Sequence, residues 1–273
     1  MTDRYAVIGN PVMHSKSPLI HTAFAQETGQ NIEYTKLEAP LDGFRRVAEQ
    51  FRAEGGRGLN VTTPFKLDAC QMATDLSERA RLAGAVNALK FDGDRIHAEN
   101  FDGIGLVNDI QKNLGCPMRG RRVLLMGAGG AVRGALLPFI EQQPDVLVIA
   151  NRTPAKARAL ASDYASRGNV RGCGYDDLAG EHFDVVVNGT SASLKGEMLP
   201  ISVDIFGNDS LAYELVYGKG LTPFLHAALE SGTTRIADGV GMLVEQAAEA
   251  FEWWRGVRPD TTRLIEQMTV PLV

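Results

Sequence analysis

The chain has 273 residues, 44% of them hydrophobic and 22% charged, which is typical of a globular protein with room for two domains. Its net charge of −5 and the absence of a long basic run argue against a nucleic-acid-binding protein. No apolar run approaches the roughly 18 residues that span a bilayer, and three scattered cysteines without a CxxC pair suit a reducing compartment, so we expect a cytoplasmic protein without a membrane partner.

The first hundred residues alternate between strand and helix patterns. Strands are predicted at 4–9, 32–39 and 58–62, and helices at 17–29 and 44–55. For the first helix we predict Ser17 as the N-cap, Pro18 as the first helical residue and Gly29 as the end. Alternation of strand and helix in this manner predicts a parallel sheet that is covered by helices.

A second series of strands and helices begins near residue 121. Strands are predicted at 121–127, 145–153, 183–190, 211–217 and 234–239, and helices at 127–140, 155–166 and 242–256. Two such series predict an α/β protein with two domains. Their boundary should lie near 99–115, where a loop enters a connecting helix.

A glycine-rich turn follows the strand that begins at 121. Gly127, Gly129 and Gly130 stand between this strand and the next helix, where glycines let the backbone approach a pyrophosphate and the helix N-terminus offers free N–H groups. Glycines also form plain tight turns, and the third position of the usual GxGxxG/A pattern is Val132. The strand–turn–helix context nevertheless favours a dinucleotide site.

The end of the next strand indicates which dinucleotide is bound. NAD-specific sites carry Asp or Glu about 20 residues after the glycines, but this chain reads "NRTPAK" there. Arg152 and Lys156 suit a ribose 2′-phosphate, and Asn151 and Thr153 add hydrogen-bonding groups. An ordinary helix start is the alternative, but a basic first turn opposes the helix dipole. We therefore predict NADP rather than NAD.

Small polar side chains collect at the ends of the first-half strands, where ligands of such sheets bind. They are Ser15, Ser17, Asn60, Thr62, Lys66, Asn87 and Asp102. The two serine hydroxyls are spaced to point the same way in an extended segment. Each residue alone has a simple structural explanation as a helix cap, a turn former or a surface lysine. Together, and facing a hydride carrier, they predict a pocket for a small polyhydroxylated carboxylate.

The chain resembles the shikimate dehydrogenase family. The matching motifs run in family order from Gly9 to Ala248 and cover nearly the whole length: "GNPVMHSKSP", "NVTTPFK", "AGAVNAL", "NFDG", "GAGGA", "NRT", "YELVY" with "TPFL", and "DGVGMLVEQAA". The resemblance implies a substrate-binding catalytic domain of residues 1–103 plus 239–273. A Rossmann-type NADP-binding domain of residues 104–238 would be inserted between these two segments.

The family reaction is the reversible reduction of 3-dehydroshikimate to shikimate by NADPH. The resemblance implies that Lys66 and Asp102 form the catalytic pair, because removing hydride from an alcohol also requires moving its proton. It implies substrate binding by Ser15, Ser17, Asn60, Thr62, Lys66, Asn87, Asp102, Tyr217 and Gln246. It implies NADP binding by Gly127, Gly129, Gly130, Ala131, Asn151, Arg152, Thr153 and Lys156. We expect a small-molecule substrate, no metal, and a monomer or homodimer.

Four positions depart from the family pattern. Thr63 replaces a branched apolar residue, Ala88 and Phe101 each replace threonine, and Gly189 replaces the alanine of an NATS motif. Phe101 directly precedes Asp102, so its ring could fill part of the pocket or shift the nicotinamide. One alternative is therefore a relative that acts on quinate, an amino-substituted analogue or another cyclic hydroxy acid. The other is a catalytically weak NADP-binding regulator.

Overall fold

Two six-stranded sheets organise the chain, and each sheet belongs to a separate unit. The computed structural model describes residues 2–272, apart from the side chain of Asn208. The first unit comprises Met1–Gly105 and Leu243–Gln267, and the second comprises Leu106–Met242 and Met268–Val273. Within residues 2–272 no helix is both long enough and apolar enough to cross a membrane.

The first unit contains strands from the N-terminal third of the chain. They are β1 Asp3–Gly9, β2 Ile32–Glu38, β3 Gly56–Val61, β4 Asp75–Leu76, β5 Ala88–Asp92 and β6 Arg95–Glu99. The helices between and after them are α1 Ser17–Thr28, α2 Phe44–Ala53, α3 Lys66–Met72, α4 Glu78–Ala83 and α5 Asp102–Asn108. In space the strands lie in the order β2-β1-β3-β5-β6-β4. A π-helical turn, Asp109–Asn113, continues α5 inside the predicted boundary segment.

The sheet of the first unit is only partly parallel. β1 runs parallel to both β2 and β3, as the alternation of strand and helix predicts. β5, in contrast, runs antiparallel to β3 and to β6. The connection from β5 to β6 is a short turn through Gly93, whose φ is +53°. A turn this short permits only antiparallel pairing, because parallel neighbours need a long crossover.

The start of α1 differs from the prediction. Ser17 is the first helical residue rather than the N-cap, and Lys16 takes the N-cap position without a side-chain hydrogen bond. The preceding segment is turned rather than extended, since the amide of Ser15 donates to the carbonyl of Val12 at 3.0 Å. The predicted end is confirmed, because Gly29 caps the helix with φ +66°. A left-handed cap of this kind favours glycine.

The second unit is a doubly wound sheet. Its strands are β7 Arg122–Met126, β8 Val146–Ala150, β9 Val170–Cys173, β10 Phe183–Asn188, β11 Phe206–Glu214 and β12 Arg235–Ala237. Its helices are α6 Gly130–Glu141, α7 Pro154–Asp163 and α8 Pro223–Glu230. All its strand pairs are parallel, in the order β12-β11-β10-β7-β8-β9. The order reverses between β7 and β10, and ligands of such sheets bind at that reversal.

Two further helices, α9 Val240–Arg255 and α10 Thr262–Met268, follow the second unit, and Leu243–Gln267 completes the first. Trp254 shows how α9 attaches there. Its ring stacks on Tyr5 of β1 with centroids 4.7 Å apart, and its indole nitrogen donates to the carbonyl of Leu89 at 3.0 Å. A buried aromatic ring with a satisfied N–H is a strong packing anchor. The first unit is therefore assembled from two segments that are distant in the sequence.

Candidate functional site

Lys66 and Asp102 form an ion pair in the first unit. Lys66 is the first residue of α3, just after the turn that follows β3, and Asp102 is the first residue of α5. The ammonium of Lys66 contacts Oδ2 of Asp102, and the two side chains are 31% and 13% exposed. The pair is thus partly shielded from water yet open to a ligand, which is where a charged pair can do acid–base chemistry.

Three side-chain hydrogen bonds fix the segment that carries Asp102. Nδ2 of Asn87 donates to Oδ1 of Asp102 at 2.8 Å, and Oδ1 of Asn87 accepts from the amide of Phe101 at 2.8 Å. Oδ1 of Asn100 accepts from the amide of Asp102 at 3.1 Å. The carboxylate therefore has one oxygen on Lys66 and the other on Asn87, so its orientation is set before any ligand binds.

Gln246 and Asn60 extend this polar group. Nδ2 of Asn87 also lies 3.4 Å from Oε1 of Gln246, and Nδ2 of Asn60 donates to the carbonyl of Asn87 at 3.3 Å. A Cβ on Gly105 would lie 2.6 Å from the amide nitrogen of Gln246, so glycine is needed for this close approach of α5 to α9. The side-chain amides of Asn60, Asn87 and Gln246 therefore lie together beside Asp102, although these residues are far apart in the sequence.

The serine pair and Thr62 lie in loops of the same unit. Oγ of Ser15 donates to Oγ of Ser17 at 3.2 Å and accepts from the amide of Ser17 at 3.3 Å. The two hydroxyls are therefore neighbours, although the segment is not extended. Thr62 follows β3, and its methyl group would lie 2.5 Å from a Cβ on Gly9. Glycine at position 9 makes room for this threonine.

Sequence reasoning missed Glu99, which lies just before the segment with Asp102. Its buried carboxylate accepts hydrogen bonds from the hydroxyl of Ser77, from Nη2 of Arg79 at 2.7 Å and from the amide of Asn100 at 2.8 Å. These bonds anchor the end of β6. No local signal was available, because alternation along β6 places Glu99 on the same face as the exposed Arg95.

Tyr34 is a second residue that the sequence did not single out. It lies on β2, and its hydroxyl donates to Oδ1 of Asn60 at 2.6 Å. Its inward position in the alternating pattern of that strand was the only signal available.

The glycine turn of the second unit fits a pyrophosphate. Gly127 has φ +112°, which disfavours any other residue. A Cβ on Gly129 or Gly130 would meet no protein atom within 4 Å, so packing does not require glycine at either position. Gly130 opens α6, and glycine costs stability within a helix. Both glycines leave the N–H groups at this helix start open to the close approach of a ligand, and Ala131 follows them directly in α6.

Asn151, Arg152 and Thr153 follow β8, and α7 begins at Pro154. Nδ2 of Asn151 donates to the carbonyl of Thr153 at 3.0 Å, which shapes the loop. Within residues 2–272 neither Arg152 nor Lys156 pairs with a carboxylate, whereas Arg158 lies 3.5 Å from Asp177. These two cations, at the start of a helix, are available to an anionic group.

Tyr217 lies in the second unit, in the loop after β11, and is 40% exposed. Every other candidate for substrate binding lies in the first unit: Ser15, Ser17, Asn60, Thr62, Lys66, Asn87, Asp102 and Gln246. Each unit thus contributes candidates, the first a polar cluster and the second a glycine turn, a basic loop and one tyrosine.

Three family models match the chain. The shikimate dehydrogenase substrate binding domain matches residues 7–89, shikimate / quinate 5-dehydrogenase matches 109–195, and the shikimate 5′-dehydrogenase C-terminal domain matches 239–269. Their order along the chain agrees with a first unit that is built from both ends of the sequence.

Individual relatives are similar over almost the full length. The NADP(+) shikimate dehydrogenase of Nitrosospira multiformis is 56% identical over 97% of this chain and 96% of its own. The crystal structure of an Ael1 enzyme from Pseudomonas putida is 60% identical, with a TM-score of 0.97 over all of both chains. The shikimate 5-dehydrogenase of Thermus thermophilus, solved with NADP(H) and shikimate, is 30% identical, with a TM-score of 0.86 over 97% of this chain and 98% of that one. The chain belongs to the shikimate dehydrogenase family.

Proposed function

We propose that this chain reversibly reduces 3-dehydroshikimate to shikimate with NADPH and that Lys66 and Asp102 are its catalytic pair. The observation that carries the proposal is the Lys66–Asp102 ion pair, which Asn87 holds in place beside other hydrogen-bonding side chains. The full-length similarity to curated NADP(+) shikimate dehydrogenases supports the same reaction.

The chemistry of the pair follows from the charge that develops during reduction. Bound NADPH supplies the hydride to the substrate carbonyl. The carbonyl oxygen gains negative charge, and the ammonium of Lys66 stabilises it and donates the proton that completes the alcohol. Asp102 accepts a hydrogen bond from Lys66. This bond holds the ammonium of Lys66 where it can donate to the reacting oxygen. In the opposite direction the same atoms remove the hydroxyl proton.

The polar cluster supports a polyhydroxylated cyclic acid as substrate. A carboxylate only accepts hydrogen bonds, and the neighbouring hydroxyls of Ser15 and Ser17 can both donate to it. We propose that Tyr217 also contacts this carboxylate. Ring hydroxyls both donate and accept, which suits amide and hydroxyl side chains. For these we propose Asn60, Thr62, Asn87 and Gln246, together with the catalytic pair.

For NADP we propose the glycine turn and the basic loop of the second unit. Gly127, Gly129, Gly130 and Ala131 would hold the pyrophosphate, and Asn151, Arg152, Thr153 and Lys156 would hold the 2′-phosphate. The first unit would then be the substrate domain and the second the NADP domain. We further propose a cytoplasmic enzyme that works as a monomer or homodimer. The three free cysteines support a reducing compartment.

The test is initial NADPH formation with shikimate and NADP, with quinate and NAD in parallel. We expect turnover with shikimate and NADP. The Lys66→Ala variant should lose about 10²–10⁴-fold in kcat and keep the dissociation constant for NADP. Lys66→Arg is the matched control, because arginine keeps the positive charge but cannot give up a proton in a protein.

The possible outcomes separate the alternatives. Loss of kcat in both lysine variants supports proton transfer, whereas full activity in Lys66→Ala removes Lys66 from the mechanism. If Lys66→Arg is fully active and Lys66→Ala is not, the role of Lys66 is to supply positive charge and not to transfer a proton. Turnover with quinate but not shikimate would assign the site to another cyclic acid. Binding of NADP without turnover on either acid would favour a regulator.

A further inference from the structure

A buried histidine lies in an aromatic cluster of the first unit. His21, on α1, is 0% exposed, and its ring stacks on Tyr34 with centroids 4.3 Å apart and planes 5° from parallel. Phe24, Phe251 and Trp254 surround it at centroid distances of 5.5 to 6.1 Å. Within the described chain neither ring nitrogen has a hydrogen-bond partner. Aromatic contacts therefore hold this imidazole.

Neither ring of the stacked pair carries a charge at working pH. Burial lowers the pKa of His21 to about 3, and the nearby Asn60 side chain offsets only part of that effect. Burial also raises the pKa of Tyr34 well above its usual value, and the Ser17 side chain offsets only part of it. The imidazole stays neutral and the phenol keeps its proton, so Tyr34 is a permanent hydrogen-bond donor.

The donor from Tyr34 determines the orientation of Asn60. The phenol donates to Oδ1 of Asn60 at 2.6 Å, so the amide NH₂ faces the other way, where it donates to the carbonyl of Asn87 at 3.3 Å. An amide nitrogen has two hydrogens, and this bond uses one. Within residues 2–272 no hydrogen bond uses the second, so it is the hydrogen that Asn60 can offer to a ligand. Without the phenol, the two amide orientations would be closer in energy, and one of them presents an acceptor instead.

We propose that Tyr34, braced by the stacked ring of His21, is a positioning residue that fixes Asn60 as a hydrogen-bond donor to a ring hydroxyl of the substrate. The inference rests on the proposed function, which supplies the polyhydroxylated ring. Tyr34 acts through Asn60 and not by contact with the reacting atoms. The effect of removing its hydroxyl must then depend on whether Asn60 is present.

A double-mutant cycle measures this dependence. We expect Tyr34→Phe to lower kcat/KM for shikimate about tenfold, which is the size of one well-placed hydrogen bond. In the Asn60→Ala background the same substitution should have no further effect. A loss of equal size in both backgrounds would overturn the proposal, because Tyr34 would then act independently of Asn60.

A second readout does not need activity. In ligand-free protein, NMR resonances of the Asn60 side-chain amide are identified by their loss in Asn60→Ala. We expect Tyr34→Phe to shift them and the matched control Tyr164→Phe to leave them in place, since the buried hydroxyl of Tyr164 has no partner in the described chain. Unshifted resonances in Tyr34→Phe contradict the proposal. If Tyr34→Phe shifts the resonances but the parent protein does not turn over shikimate, only the proposed function is contradicted.

A comparison of two His21 variants tests whether its ring braces Tyr34 by stacking. His21→Phe keeps a flat ring against Tyr34, whereas His21→Leu removes it. We expect His21→Phe to retain kcat/KM and His21→Leu to lose as much as Tyr34→Phe. Equal loss in both variants would show that the imidazole nitrogens act and would overturn bracing by stacking. If His21→Leu fails to fold, His21→Phe still tests the proposal. Retained kcat/KM in His21→Phe supports bracing by stacking, and a loss contradicts it.

Discussion

Val132 stands where dinucleotide-binding sequences usually place glycine or alanine, and a neighbouring glycine accommodates it. A Cβ on Gly189 would lie only 2.6 Å from Cγ2 of Val132, so the valine methyl fills the space that a side chain at 189 would need. Gly189 is also a position where the chain departs from the family pattern. The larger side chain at 132 and the missing side chain at 189 therefore compensate each other in volume. The glycine turn keeps its backbone shape.

Phe101 and Ala88 form a similar pair. Phe101 is 3% exposed and belongs to the same buried cluster as Ala88, and its ring meets Trp253 edge-on at 5.7 Å. The ring is thus in the core of the first unit and offers little surface to a ligand beside Asp102. Alanine at 88 leaves free part of the space that the larger ring at 101 occupies in this cluster. The low exposure of this ring argues against the expectation that it fills part of the substrate pocket.

Arg152 is the single residue on which the choice between NADP and NAD should depend most. A charge-assisted bond to a 2′-phosphate is worth about 1.5–3 kcal/mol, or roughly 10- to 100-fold in affinity. We expect Arg152→Ala to lower kcat/KM for NADP by that factor and leave kcat/KM for NAD unchanged. Initial rates with each cofactor at saturating shikimate give the ratio.

The matched control for Arg152 is Arg158→Ala, which removes the same charge from the same region but from a residue already paired with Asp177. It should leave the cofactor ratio close to that of the parent protein. An unchanged ratio in Arg152→Ala would mean that other groups recognise the 2′-phosphate.

At the scale of elements, the sequence predicted the long periodic segments well and the short ones poorly. Strands with branched apolar residues, such as β7 and β8, and the glycine turn between β7 and α6 follow directly from local pattern. The β5–β6 hairpin and α3 were missed. Both are short, and tertiary contacts rather than periodicity stabilise them. Lys66 was thus predicted for the site without the helix that begins at it.

The candidate site shows the same division. Residues at the carboxyl ends of strands could be predicted, because the topology of a parallel sheet brings those ends together. Glu99, Tyr34 and His21 could not, because their roles depend on which partners they meet in three dimensions. No local pattern reports a stacked imidazole or a buried carboxylate with three donors. The family resemblance, in turn, supplied Gln246 and Tyr217, which no local argument had selected.

Glu214 ties together the loops at the carboxyl edge of the second sheet. This fully buried carboxylate ends β11 and accepts hydrogen bonds from the chain segments that follow β10 and β11. The donors are Asn188 at 2.9 Å, Val216 at 3.2 Å, Thr222 at 3.2 Å and the hydroxyl of Ser193. Burial raises the pKa of Glu214 above its usual 4.5, against the effect of these bonds.

The raised pKa of Glu214 predicts a pH dependence of stability. Above pH 4.5 the unfolded state loses this proton before the folded state does, so the free energy of unfolding falls as pH rises up to the folded pKa. Glutamine cannot titrate. We therefore expect the unfolding free energy of Glu214→Gln, relative to the parent, to rise across this window. Urea unfolding followed by circular dichroism at several pH values measures the difference.

The exposed Asp163 provides a comparison for Glu214, because Asp163→Asn removes a carboxylate of the same unit without touching a buried network. We expect a rise with pH for Glu214→Gln that the difference between Asp163→Asn and the parent does not share. A constant difference for Glu214→Gln as well would show that the carboxylate titrates at an ordinary value.

At the scale of the whole molecule, the first unit must bring together two segments that are far apart in the sequence, Met1–Gly105 and Leu243–Gln267. The segment Leu106–Met242 folds into another unit between them. Contacts that join the two segments therefore close a very long loop, and their free energy has to offset the entropy of that closure. Sequence patterns cannot show this connection, because each half of the first unit looks like an ordinary run of strands and helices.

Arg255, at the end of α9, makes such a contact. It donates to the carboxylate of Asp3, which is 252 residues away, to Gln30 at 2.9 Å and to the hydroxyl of Tyr5 at 3.4 Å. The hydrogen bond from Arg255 lowers the pKa of Asp3 below its usual 3.8. We expect Arg255→Met to lower the free energy of unfolding of the first unit by about 1.5–3 kcal/mol, the range for charge-assisted bonds.

The pH dependence has a definite sign, because a lowered carboxyl pKa stabilises the fold above the unfolded value and the effect is lost as pH falls through the folded value. The deficit of Arg255→Met should thus be full at neutral pH and shrink below about pH 4. Urea unfolding followed by tryptophan fluorescence measures it, since Trp253 and Trp254 both lie on α9. Arg45→Met is the control, because the side chain of Arg45 is 62% exposed in an i,i+4 pair with Glu49 and should matter little. An equal deficit in the two variants would mean that the long-range contact adds nothing beyond a surface ion pair.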